Sequence, residues 1–155
     1  MIRPKRNFNI ISTIYKIMAL QTSFYLTFYL LVKIAGLFYN NVLPAEIIFK
    51  YTFMSPKSGN FTVFLISVFC ELFAGVVSAF VFTKIDGKHR RAFDFITTIF
   101  FFHLFLCWIV WSFPKSCGWW FINLIIMLIS YFVAYEVSLK HEMKDIIFSQ
   151  PEQAQ

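Results

Sequence analysis

Four long stretches almost free of charge, residues 17–39, 61–82, 95–113 and 119–139, constrain this chain more than any other feature. A helix needs roughly 20 apolar residues to cross a hydrocarbon core about 30 Å thick, and each stretch is about that long. Lipid offers no partner to an unpaired peptide group, so all four must be helical. With 59% hydrophobic residues, 14% charged and 22 phenylalanines, a chain of 155 residues cannot hide its apolar surface from water. The expected fold is all-α: a polytopic membrane protein whose four transmembrane helices form one antiparallel bundle over residues 1–148, followed by a disordered tail, 149–155.

Charge inside the stretches is sparse. Lys33 lies near the end of the first, where a long side chain reaches the headgroups. Glu71 lies near the middle of the second. The 14 Leu, Ile, Val and Phe residues of that stretch favour insertion by roughly 4 to 8 kcal/mol, against about 3 kcal/mol for one central carboxylate, so insertion wins.

Orientation follows from the lysines and arginines on each side. Arg3, Lys5, Arg6 and Lys16, then Lys84, Lys88, Arg90 and Arg91, then Lys140 and Lys144 fall on one face; Lys50, Lys57 and Lys115 fall on the other. The positive-inside bias therefore puts both termini and the loop KIDGKHRR in the cytosol. The net charge of +6 is first a topology signal. Nucleic-acid binding is a poor reading, because the basic residues are split among three short segments rather than gathered into one groove.

The first stretch is too long for a secretory signal and lacks a small-x-small cleavage site, so it reads as an uncleaved signal anchor. Of Cys70, Cys107 and Cys117, two lie within apolar stretches, and no disulfide framework is implied. The connections are short. Residues 114–118 force the last two helices into an antiparallel hairpin, and the segment of about 20 residues before residue 61 carries EIIF and YTFM, apolar patches expected to lie on the bilayer surface. Asn60 opens an N-x-T acceptor against the membrane, where no glycan is expected.

Intramembrane ionisable groups are functional candidates by default. Glu71 reads either as a carboxyl hydrogen-bonded to a hydroxyl or carbonyl of a neighbouring helix, or as the centre of a small proton- or ion-coupled transporter or channel subunit. Transporters usually show repeats and helices broken by Gly or Pro, and the prolines here fall outside the four stretches. Ala74 with Ser78, and Gly75 with Ala79, place small residues four apart, a seam for close helix packing. His103, near mid-membrane, reads as a neutral imidazole donating one hydrogen bond within the bundle. His89 and His141 lie near the cytosolic surface, so no metal cluster is expected at membrane depth and no cofactor is implied. Nucleophilic catalysis is set aside, since no cysteine or serine is expected to share helical spacing with a histidine and a third orienting group. Asp94 opens the third helix, where an acid suits the macrodipole. With Lys88, Arg90 and Arg91, and with Lys140, Glu142 and Lys144 on the last helix, it forms a cytosolic rim open to a partner.

Taken in order, AFDFITTIFFFHLFLCW, FPKSCGWW and KHEMKDI resemble the Sys-one family of Golgi integral membrane proteins. Asp94, Phe95, His103, Leu104, Cys107 and Trp108 fit its third span, Phe113, Pro114, Trp119 and Trp120 its last turn, and Glu142, Lys144 and Ile146 its closing run. Gln21, Thr22 and Tyr25 match a Gln-Thr-x-Tyr-Tyr pattern, and Ala45, Glu46 and Ile47 a lumenal Ala-Glu-Ile. Phe8, Asn9 and Ile10 replace the family's Trp-Asp-Pro, and Phe100 replaces a second histidine, which argues against a required histidine pair. The resemblance implies a non-enzymatic protein of the trans-Golgi membrane, a receptor in vesicle-mediated protein transport that recruits an amino-terminally acetylated, ARF-related small GTPase.

Overall fold

The structure, a computed structural model, describes residues 10–38, 45–50 and 61–148. Four helices account for most of them: α1 (Ile10–Phe38), α2 (Phe61–Ile85), α3 (Ala92–Val110) and α4 (Cys117–Phe148), with single 3₁₀ turns at Ala45–Ile48 and His89–Arg91. No strand occurs among the described residues. All four helices are long and apolar enough to cross a membrane, running from about 28 Å for α3 to about 48 Å for α4 at 1.5 Å per residue.

Three helices overrun their apolar stretches. Helix α1 starts at Ile10 rather than residue 17, α2 continues to Ile85 and α4 to Phe148. Hydropathy marks only the part of a helix that lipid surrounds; Lys16, Lys84, Lys140 and Lys144 lie on the extensions, where backbone bonding continues into the headgroups and water. Helix α3 instead stops at Val110, three residues short of residue 113. Pro114 disfavours helical backbone at Phe113, and the amides of Trp111 and Ser112 both donate to the Cys107 carbonyl, at 3.1 and 3.3 Å. The Trp120 indole then closes the hairpin by donating to the Pro114 carbonyl (3.0 Å).

Helix α2 packs mainly against α1 and α4, and α3 against α4 and α1, so α2 and α3 oppose each other across the bundle. The α2–α3 connection therefore crosses one end of the bundle and meets both other helices there. Helix α1 buries Leu20, Phe24, Phe28 and Val32, one residue per turn along a single stripe. Facing outward are Phe101, Phe121 and Phe132, each at least 60% exposed, as lipid contact requires. The polar side chains are inside: Ser67, Glu71, Ser78, His103, Asn123, Ser130 and Ser138 are buried. Ser67, Ser78 and Ser130 donate to carbonyls one turn back on their own helices, which satisfies the hydroxyls without an interhelical partner.

Along α2 the small-residue seam Ala74, Gly75, Ser78 and Ala79 is buried. A Cβ at Gly75 would overlap Ser130 Oγ on α4 and would lie 3.5 Å from Ser130 Cβ. Helix α4 answers with Ser130, Ala134 and Ser138, buried at four-residue steps.

The expected surface loop is corrected where it is described. Ile47 and Ile48 are 1% and 6% exposed, and Phe49 packs against Tyr25 with ring centroids 5.7 Å apart. The EIIF segment is tucked into the bundle, because irregular backbone beside a membrane is stable where protein surrounds it. The YTFM patch, Asn60 and the tail 149–155 lie outside the described residues.

Candidate functional site

Two polar clusters stand out, one within the membrane and one at the end of the bundle that carries Lys16 and the α2–α3 turn.

The first centres on His103, 1% exposed. Phe24, Tyr25 and Phe28 of α1 and Trp119 of α4 surround its ring, the indole nearly parallel to it at 6.4 Å. The Tyr25 hydroxyl lies 3.3 Å from Nδ1. On the other side Nε2 faces Cys107 Sγ at 3.6 Å and Glu71 Oε1 at 3.7 Å. An imidazole carrying its proton on Nε2 satisfies this geometry, with the Tyr25 O–H donating to Nδ1 and Nε2–H pointing between sulfur and carboxyl.

This corrects two sequence expectations. Cys107 does stand one helical turn from His103, and Glu71 does supply a third group, although it stands on a different helix. The three still do not form a catalytic triad. A triad needs the acid on the ring nitrogen opposite the nucleophile; here acid and thiol share Nε2, and tyrosine occupies Nδ1. Glu71 also lacks the hydroxyl or carbonyl partner expected for it: neither carboxyl oxygen has a hydrogen bond among the described residues, and His103 stands just beyond that distance. The cluster joins a residue from each of the four helices, with Tyr25, Glu71, His103 and Trp119 meeting at one depth. No group of three or more His, Cys, Asp or Glu residues is arranged to hold a metal among the described residues.

The second cluster is built by the turn after α2. The amides of Asp86 and Gly87 both donate to the Phe82 carbonyl, at 3.0 and 3.2 Å, and Gly87 takes a left-handed φ of 62°. This is the usual glycine device for ending a helix. It turns the Asp86 side chain inward, 3% exposed, where it pairs with Lys16 of α1 and with Arg91 Nη1 at 3.5 Å. The next residues reach α4: His89 Nδ1 lies 2.8 Å from Glu142 Oε2, and the His89 backbone amide donates to Oε1 at 3.3 Å. Between the turn and α4 opens a groove of about 690 Å³, lined by Lys84, Lys88, His89, Arg90, Arg91 and His141 together with the two carboxylates.

Of the rim residues expected from sequence, Lys88, Arg90, Arg91 and Glu142 come together in this groove. Arg91 and Glu142 are engaged in holding the turn. Asp94 sits exposed in the first turn of α3, its carbonyl accepting the Thr98 hydroxyl (2.6 Å), and Lys140 and Lys144 are exposed on α4 without lining the groove. Asp86 escaped the sequence reading and His89 was placed only near the cytosolic surface, although the Asp-Gly pair between two helices is a turn signal that could have singled out the aspartate.

The model of one family, described as SYS1, integral membrane protein S linking to the trans Golgi network, matches residues 7–148. The chain is 25% identical over 135 residues to the SYS1 homolog of Dictyostelium discoideum, covering 84% of this chain but 55% of that protein. It is 26% identical over 131 residues to the SYS1 homolog of Nematostella vectensis, covering 84% of this chain and 82% of that protein. No solved structure matches.

Proposed function

This chain belongs to the SYS1 family of integral membrane proteins, and from that premise we propose that it is a non-enzymatic receptor of the trans-Golgi membrane that recruits an amino-terminally acetylated, ARF-related small GTPase for vesicle-mediated transport. The observation that carries the reading is where polar surface remains: among the described residues, charge is concentrated at the end of the bundle holding the α2–α3 turn and the last turns of α4, while the flanks are apolar. The excess of Lys and Arg at that end supports a cytosolic orientation for it. An acetylated amphipathic helix binds a bilayer only weakly by itself. A second contact with a fixed membrane protein raises its effective concentration and supplies the address.

Arg91 and Glu142 hold the turn in shape, so the contact falls to side chains projecting around it, with Asp94 and Lys140 exposed beside the groove. Depleting the protein should release one ARF-related GTPase from the Golgi, and re-expression should restore it. Charge reversal at Asp94 and Lys140 should leave the protein in the membrane but fail to restore the GTPase. A GTPase distribution that ignores depletion would overturn the proposal.

A further inference from the structure

The groove at the end of the bundle contains more positive charge than its own carboxylates engage. Asp86 is taken by Lys16 and Arg91, and Glu142 by the side chain and backbone of His89. Lys84, Lys88 and Arg90 line the same groove and have no carboxylate partner among the described residues. At about 690 Å³ the groove lies within the ~300–1,000 Å³ typical of small-ligand sites. Its position is informative as well. Lys84 belongs to the last turn of the membrane-crossing α2, which sets the groove at headgroup depth.

An aromatic path leads from the groove onto the outer flank of the bundle. The His89 ring meets Tyr135 at 5.6 Å, Tyr135 meets Tyr131 at 6.0 Å, and Tyr131 meets Phe93 at 5.6 Å. Phe93 is 52% exposed. A ligand with a polyanionic head and an apolar tail finds cations for the one and ring faces for the other. An acidic protein segment would use the cations and leave the aromatic flank without a role. A diester carries one negative charge, and an added phosphomonoester contributes about 1.5 to 2 more, which matches three converging cations. Basic pockets at the membrane edge between transmembrane helices are a recurring site for such headgroups.

We propose that the groove lined by Lys84, Lys88 and Arg90 binds the headgroup of a phospholipid that carries a phosphomonoester in addition to its phosphodiester, in the leaflet that meets this end of the bundle. Lipid binding at this site is tested without a GTPase present. The full chain is reconstituted into phosphatidylcholine nanodiscs, and binding of a phosphatidylinositol monophosphate is measured by native mass spectrometry and by titration with a fluorescent analogue. Phosphatidylserine at matched total charge and a water-soluble inositol bisphosphate serve as comparisons, and an acidic peptide is added as a competitor.

The monophosphate lipid should be retained in preference to both. Replacing Lys84, Lys88 and Arg90 by Gln together should weaken its binding on the order of 100-fold, roughly five-fold per charge. The same replacement at Lys140 and Lys144, outside the groove, should weaken both lipids alike. Equal retention of phosphatidylserine, equal capture of the soluble headgroup, preference for an acidic peptide, or undiminished binding by a folded triple variant would each overturn the proposal. The preference between lipids is read on the unaltered chain, so misfolding of a variant cannot rescue it.

Discussion

Substituting Gly75 by Ala tests how closely α2 and α4 approach, because two effects of similar size oppose each other there. Ala in place of Gly within a helix gains about 1 kcal/mol of intrinsic stability. The new methyl overlaps Ser130 Oγ, however, so the hydroxyl must rotate off its 2.8 Å bond to the Ile126 carbonyl or the helices must part. Losing that bond costs about 1 kcal/mol, and overpacking a closed seam typically costs about 1–3 kcal/mol. Gly75→Ala alone should therefore be neutral to destabilising by about 2 kcal/mol, combining these terms. In a Ser130→Ala background the clashing atom is gone, and the nearest neighbours of the added methyl, the residue-130 Cβ and Phe100 Cζ, are at an ordinary 3.5 Å. There the same substitution should stabilise by about 1 kcal/mol. The coupling energy of the cycle is thus roughly 1–3 kcal/mol, well above the few tenths found for independent sites. Reversible unfolding of the four variants in mixed micelles measures it. Should Ala at 75 shift stability equally with and without the Ser130 hydroxyl, the close contact between α2 and α4 is not there and the packing argument fails.

Three further outcomes are expected. Gly87→Ala forces a side chain into left-handed backbone with its Cβ 2.9 Å from the Thr83 carbonyl, costing about 1–2 kcal/mol; thermal unfolding should reveal it, and Gly87→Asn should be the milder change. Tyr25→Phe keeps the ring beside His103 but removes the hydroxyl facing Nδ1, a loss of about 1 kcal/mol that should disappear when His103 is also replaced by Phe. Asp86→Asn weakens the attachment of Lys16 and Arg91; amide exchange around Lys16 should quicken while that of the buried α2 seam stays unchanged, and uniform protection in α1 would count against the role given to Asp86.

The helices were legible because lipid leaves the backbone one option, and an unbroken apolar run reports its own length. Their ends were less so. Residues such as Ile10 and Ile85 lie beyond the span that hydropathy can mark, whereas at Val110 the stop depends on Pro114 four residues away. The seam at Gly75 could be read from spacing alone, since small residues four apart share a face whatever their partner. The meeting of Glu71 with His103 could not. It depends on α2 and α3 opposing each other across the bundle, an arrangement set by which helices pack together and invisible to periodicity. The basic rim was legible as charge and illegible as geometry: nothing local distinguishes Arg91, which turns back to Asp86, from its neighbour Arg90, which remains exposed.

The crossing turn also bears on how the chain is made. A ribosome delivers α1 and α2 first, and Asp86 can seize Lys16 as soon as both have left the translocon, whereas His89 must await Glu142, 53 residues later. Until α4 is released, the nascent protein exposes the glycine-bearing stripe of α2 without its cover. Any product truncated before Ser130 would leave that small-residue face of α2 against lipid, without the close helix contact its spacing is built for.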